Sequence, residues 1–231
     1  MNVHQLIYTS CRRGRDGVND GQQIFSYDEC FPRQLLPSLA KTMSYRGPDL
    51  PVGIPLTEEL VPSFPQSFSY RPLGDFGGFA LNTYLGKDYM GPTGRFGNFL
   101  SHQIVLDGLE GYPVEFIGSA MFRSAMEFDE VNNPDPPSFL PQPDLSRGER
   151  VTRESVREFL SEDRWGTFTH MLACLLSLPA EGKRIIVHDD PEHVAQWIGA
   201  LSYSLPPHCA AGVAFSTYEY NPLDADWRIV G

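Results

Sequence analysis

Apolar positions change their period part-way along this chain. In the first half they form short runs rich in β-formers at residues 3–9, 24–27, 99–106 and 114–117, a pattern that predicts strands. Residues 64–72 and 79–85 flank Gly74-Asp75-Phe76-Gly77-Gly78. Glycine reaches positive φ at no steric cost, so this segment predicts an antiparallel hairpin. Between the first two strands, residues 11–21 are charged and carry glycines, as a surface loop does. Residues 31–43 hold a weak helical stripe (Leu35, Leu36, Leu39, Met43) that Pro37 limits to one or two turns. From 48 to 65 prolines recur too closely for helix or ladder, which predicts an extended wrap over the surface.

Beyond residue 150 the period is helical. Thr152 is placed to cap a helix running to about Glu162, with Val151 and Val156 at the staple positions and Val156, Phe159 and Leu160 on one stripe. Phe168, Met171, Leu172, Leu175 and Leu176 then mark a core helix that should stop before Pro179 and Gly182. Residues 184–216 read as a βαβ unit. Ile185-Ile186-Val187 is the kind of run found in a strand buried on both faces, and Asp189 or Asp190 caps the helix that Pro191 begins. Val194, Trp197, Ile198 and Leu201 share one face, Pro206-Pro207 ends the helix, and Val213-Ala214-Phe215 returns as a neighbouring strand. A last strand is expected at 227–230. Together these elements predict an α/β fold with α+β character: an antiparallel-rich mixed sheet, a C-terminal βαβ unit and flanking helices. Proline and acid enrichment makes 129–150 a connector between a β-rich 1–128 and an α/β 151–231, within one domain spanning 1–231. The chain's end directly after a strand suggests the N-terminal part of a longer protein.

Charge narrows the function classes. Eighteen basic against 29 acidic residues leave a formal net charge of −11, which disfavours a phosphate backbone or an anionic membrane surface as partner. The start lacks a basic and apolar leader pattern, and the longest greasy stretch, 171–178, is far short of a membrane span, so a cytoplasmic location is expected. Cys11, Cys30, Cys174 and Cys209 show no C-x-x-C spacing and are expected to be unpaired and metal-free.

Candidate chemistry concentrates around residues 87–102. Asp88, Tyr89, Arg95 and Asn98 lie on a loop with glycines at 91, 94 and 97 that leads into a strand carrying His102. Such a loop can present backbone N–H groups and Arg95 to an anion, but the P-loop order is absent and a strand follows. The strand period places Asn98, Leu100 and His102 on one face, and Arg95 is expected to be bonded internally, to Asp88 or to carbonyls. As a base His102 would need a nucleophile, and Ser10, Ser101 and Ser216 lack an elbow motif. His188-Asp189-Asp190 at a strand's carboxyl end has metal-ligand chemistry, yet helix capping explains the same residues. No catalytic set, cofactor or metal is assigned. Two readings stay open: an interaction domain, or a small-molecule or nucleotide-sensing or hydrolysing domain built on Asp88, Arg95, Asn98 and His102.

Several short motifs together resemble one family. They are His4-Gln5-Leu6-Ile7-Tyr8-Thr9-Ser10, Leu85-Gly86-Lys87-Asp88 between Tyr84 and Tyr89, Gly94-Arg95-Phe96-Gly97-Asn98-Phe99 with His102, Asp189-Asp190-Pro191-Glu192, Trp197-Ile198, Leu205-Pro206-Pro207 and Phe215-Ser216-Thr217-Tyr218. In order and spacing these are similar to the N-terminal domain of the bacterial GTPase-associated proteins, from end to end of the chain. The resemblance implies a non-enzymatic accessory or adaptor domain, with a GTPase encoded nearby as protein partner, in a bacterial conflict or immunity-type system.

Overall fold

A computed structural model describes residues 2–177 and 184–231. Among the described residues, eight strands form one sheet in the order β2-β1-β5-β4-β3-β7-β8-β6. β1 (Val3–Cys11), β2 (Gly21–Tyr27), β3 (Ser67–Leu73), β4 (Phe76–Lys87) and β5 (Phe96–Asp107) pair antiparallel, and β7 (Phe215–Ser216) joins β3 in the same sense. β6 (Ile185–Ile186) and β7 both lie parallel to β8 (Ile229–Val230). The β3–β4 hairpin forms with a shorter turn than the pattern suggested. Leu73 pairs with Phe76, and Gly74 at φ +67° opens the two-residue connection.

Each sheet face has its own cover. Ile104, Leu106, Phe68 and Phe79 face the main core, where α3 (Arg153–Phe159), α4 (Glu162–Ser177) and α5 (Pro191–Tyr203) bury Val156, Phe159, Phe168, Met171, Val194 and Ile198. Further along the same face Ile7 and Leu100 pack with Val131 of α2 (Phe128–Val131). The opposite face packs Leu6 and Val105 under Phe31 and Leu39 of the 31–43 segment, whose one α-helical turn, α1 (Leu36–Leu39), has Pro37 in its first turn. Thr42 pins this cover to the sheet: its hydroxyl donates to Gln103 Oε1 (2.8 Å) and its carbonyl accepts from Asn82 (3.2 Å).

The helical half follows its local signals at most points. Thr152 Oγ1 accepts the Ser155 amide (3.0 Å), and the capped helix ends at Phe159, one short break before α4 begins. The expected stop at Pro179 and Gly182 lies outside the described residues. α6 (Pro207–Ala210) follows the proline pair. Trp197 is buried and packs edge-on against Phe159, centroids 4.9 Å apart.

Four expectations are corrected. β6 and β7 are parallel but not neighbours, because β8 inserts between them and supplies backbone partners to both. β6 is the last strand of the sheet, so Ile186 is 42% exposed rather than buried on both faces. Residues 113–116 form a 3₁₀ turn instead of a strand: Pro113 has no N–H for a ladder, and the turn still buries Val114 and Phe116. The extended wrap contains a 3₁₀ turn at Glu58–Ser63.

The 129–150 connector is bonded to the body of the protein. Leu140 N–H donates to the Tyr27 carbonyl (3.0 Å), Ser26 Oγ to Ser138 O (2.7 Å) and Gly148 N–H to Glu115 O (2.7 Å). β3–β7 pairing carries the sheet unbroken from the first half of the chain into the second.

Candidate functional site

The residues singled out between 88 and 102 divide into two groups. Asn98 and His102 are buried on the main-core face of β5 and their polar atoms are engaged. Asn98 Oδ1 accepts from the Ser10 amide (3.1 Å), Thr9 Oγ1 (3.3 Å) and Gln22 (3.1 Å), and its amide donates to the Lys87 carbonyl (3.0 Å). It ties together three strands where β4 and β5 fall out of register near Gly86.

His102 is 1% exposed and sits under the Phe122 ring, between the two clusters of that face. The Arg123 amide donates to Nδ1 (2.8 Å), so Nε2 carries the proton and donates to Gln5 Oε1 (2.8 Å). Gln5 in turn donates to the Pro141 carbonyl of the connector. Burial, with the Arg123 charge added, pushes the imidazole down to about 3, so it stays neutral at ordinary pH. With both nitrogens bonded it has no free lone pair for a substrate.

Asp88, Tyr89 and Arg95 lie outside the core, the first two half-buried and Arg95 exposed. Asp88 Oδ1 accepts the Met90 amide (3.0 Å) and its N–H donates to the Arg95 carbonyl (3.0 Å), which closes the loop on itself. The expected internal bond to Arg95 is absent: the side chain is exposed and makes no hydrogen bond or ion pair with the described residues. In water an exposed guanidinium keeps its hydration, so no internal partner is required. Tyr89 donates to Asp20, and that bond, more than burial, pushes its hydroxyl up; the Arg12 charge acts on the same hydroxyl. Gly91, at φ +62°, lets the loop turn against Phe128, whose ring carbon would lie 2.8 Å from a Cβ added there. Arg12, just after β1, and Arg95, just before β5, are both exposed and unpaired among the described residues, and Met90 and Phe128 are about half exposed.

Other clusters resolve as structure. Asp189, Asp190 and His193 have candidate ligand atoms within 4.8 Å of one another, with His193 in the place where the sequence suggested His188. Asp189 already accepts the Asp190 amide (2.8 Å), His193 Nδ1 (3.0 Å) and Trp197 Nε1 (3.1 Å). Burial alone would raise its carboxyl, but these hydrogen bonds outweigh it and hold it below the usual range. It braces the start of α5 through His193 and Trp197, but the expected side-chain cap is absent: neither Asp189 nor Asp190 accepts a first-turn backbone amide of α5. Cys11, Cys30, Cys174 and Cys209 are all free thiols, and burial pushes Cys11 up to about 11. Sequence reasoning missed the pairing of His4 with Asp28: Nδ1 lies 3.1 Å from a carboxylate that also takes the Gln5 (2.7 Å) and Cys30 (3.1 Å) amides. The two residues are 24 apart and meet only because β1 and β2 pair.

Comparison with known families now has a frame. The model for GTPase-associated protein 1, N-terminal domain type 2, matches residues 2–139, and that for GTPase-associated protein 1, middle domain, matches residues 156–231. The chain belongs to the GTPase-associated protein 1 family. No curated protein and no solved structure matches it. Both GTPase-associated protein 1 matches contribute strands to the one sheet, and the residues between them, 140–155, lie in the connector and the start of α3. No helix among the described residues is long and apolar enough to cross a membrane.

Proposed function

We propose that this chain is a non-enzymatic adaptor that acts with a GTPase in a bacterial conflict or immunity-type system, in the cytoplasm and away from nucleic acid and membrane. The face around Tyr89 meets the protein partner. One observation carries the reading: on a protein of net charge −11, two exposed guanidiniums, Arg12 just after β1 and Arg95 just before β5, have no hydrogen bond or ion pair among the described residues, and Met90 and Phe128 of the neighbouring segments are about half exposed. Arginine, methionine and aromatic side chains are the types enriched where proteins meet, and an unpaired guanidinium keeps all its donors for an acidic partner. Engagement of Asn98 and His102 in the core supports this reading over a catalytic or sensing centre on those residues.

The test is affinity of the full-length protein for the GTPase encoded beside it, measured with Arg95→Ala and Arg12→Ala. Each substitution should weaken binding about tenfold. Melting temperature should stay the same, because no bond inside the chain is lost. Wild-type affinity in both variants would overturn the placement of the interface.

A further inference from the structure

Two of the three tryptophans are buried and give their indole N–H to a carboxylate: Trp197 to Asp189 (3.1 Å) and Trp227 to Glu219 (2.6 Å). Trp165, near the start of α4, is 55% exposed, and its N–H has no partner among the described residues. It lines a groove of about 230 Å³ between α3, α4 and the end of α5. Arg153, Val156, Arg157 and Leu160 follow the spacing i, i+3, i+4, i+7, so one face of α3 supplies a second wall, and Tyr203 of α5 completes it.

Two properties of the groove restrict what fits it. The first is that its donors lack acceptors. Arg157 is exposed with no hydrogen bond or ion pair among the described residues, and Arg153 meets only ring faces, 4.7 Å from the Tyr203 centroid and 5.1 Å from that of Tyr112. Glu154 and Glu158 of the same helix pair with neither arginine, and no residue lining the groove is acidic, on a chain with 29 acids. The second is size. Pockets for small ligands start at roughly 300 Å³, so this groove suits a bulky apolar side chain rather than a whole small molecule. A helix can present both features at once, because side chains four residues apart are neighbours on it, as Arg153 and Arg157 are on α3. Trp, Tyr and Arg are also the side chains that carry most binding energy at protein interfaces.

We propose that this groove docks an acidic amphipathic helix of a protein partner, with a Leu or Phe seated against Trp165, Val156 and Leu160 and two carboxylates, four residues apart, on Arg153 and Arg157. The site uses none of the residues assigned to the GTPase contact, so either reading can fail alone.

The test is fluorescence anisotropy of a labelled synthetic helix of about four turns, Glu on one face and Leu on the other, titrated with the full-length protein. The controls are the same peptide with Lys for Glu and with Ser for Leu. The Glu–Leu peptide should bind saturably and more weakly as salt rises, and both controls should bind at least about tenfold less tightly. Arg157→Ala and Trp165→Ala should each weaken binding about tenfold with nearly unchanged melting temperature, since Arg157 has no bond to lose and Trp165 is more than half exposed. Arg157→Glu should reject the Glu–Leu peptide and accept the Lys–Leu one. Equal affinity for the Glu and Lys peptides, wild-type affinity in both alanine variants, or no saturable binding at ~1 mM would overturn the proposal. So would a dimer of the full-length protein that Trp165→Ala dissociates, because the occupant would then be a second copy.

Discussion

The five long antiparallel strands and the three short parallel ones hold together by different means. β4 and β5 run twelve residues each, and their ladder of backbone bonds continues through β1, so polar side chains inside that half can be buried and satisfied, as His102, Gln5, Gln103 and Asn98 are. β6, β7 and β8 have two residues each and few ladder bonds to contribute. Their order comes from α5, which buries Val194, Ile198 and Leu201 against them, and from the edge-on packing of Trp197 and Phe159. In the first half chemistry-bearing residues disappear into structure. Among the described residues two buried side-chain atoms lack a partner, Asn82 Oδ1 on β4 and Arg71 Nε on β3, beside the seam where one kind of support gives way to the other.

The sharpest way to break this comparison is Phe215→Ala. Phe215 is 1% exposed and lies between Phe68 and Tyr70 of β3, with centroids 6.3 and 5.8 Å away, so its loss opens a cavity at the seam. The expected cost is about 3–5 kcal/mol in a denaturant titration. Far-UV and near-UV signals should still change in one transition; two separate transitions would show that the halves fold independently.

A smaller effect isolates the buried polar network of the first half. His102 is neutral in the fold and titrates at about 3, whereas an unfolded histidine titrates near ~6.5. The unfolded chain therefore binds one more proton between those values, and stability present above ~6.5 is lost as pH falls toward 3, by at most ~1.4 kcal/mol per pH unit. His102→Gln should lower stability at neutral pH by roughly 2 kcal/mol, because the Arg123 amide or Gln5 is left poorly paired. Its melting temperature between pH 7.5 and 4 should then fall less steeply than that of the wild type. Parallel pH profiles would remove His102 as the titrating group.

The smallest effect sharpens the helical side. Thr152→Ala removes the acceptor for the Ser155 amide and should cost about 1 kcal/mol by the same denaturant method. A loss below a few tenths of a kcal/mol would mean that packing of Val156 and Phe159, rather than the cap, sets where α3 begins.

Local signals were readable wherever one residue's chemistry acts on its near neighbours. Thr152 caps because its hydroxyl reaches an amide three residues on, and Gly74 turns the hairpin because it alone tolerates that φ. The shared face of Asn98, Leu100 and His102 follows from the strand period. Reading failed where the partner is distant in sequence. Residues 114–117 carry β-forming side chains, but Pro113 and the packing of Phe116 decide for a turn. Arg95 looked as if it needed an internal bond only until its exposure was known.

The amino-acid pattern by itself determined the kinds of elements, most of their positions, the unpaired state of the four thiols and the membership of the family, since these depend on composition, periodicity and short spacing. Only the tertiary structure decided that β8 enters between β6 and β7, that His4 meets Asp28, that Asn98 and His102 are consumed by the core while Arg12 and Arg95 stay exposed outside it, and that a cleft opens along Arg71. The physical reason is the same in each case. Hydrogen bonds and burial are settled between segments far apart in sequence, 155 residues in the case of Arg71 and Asp226, and no local period encodes which distant segment will arrive.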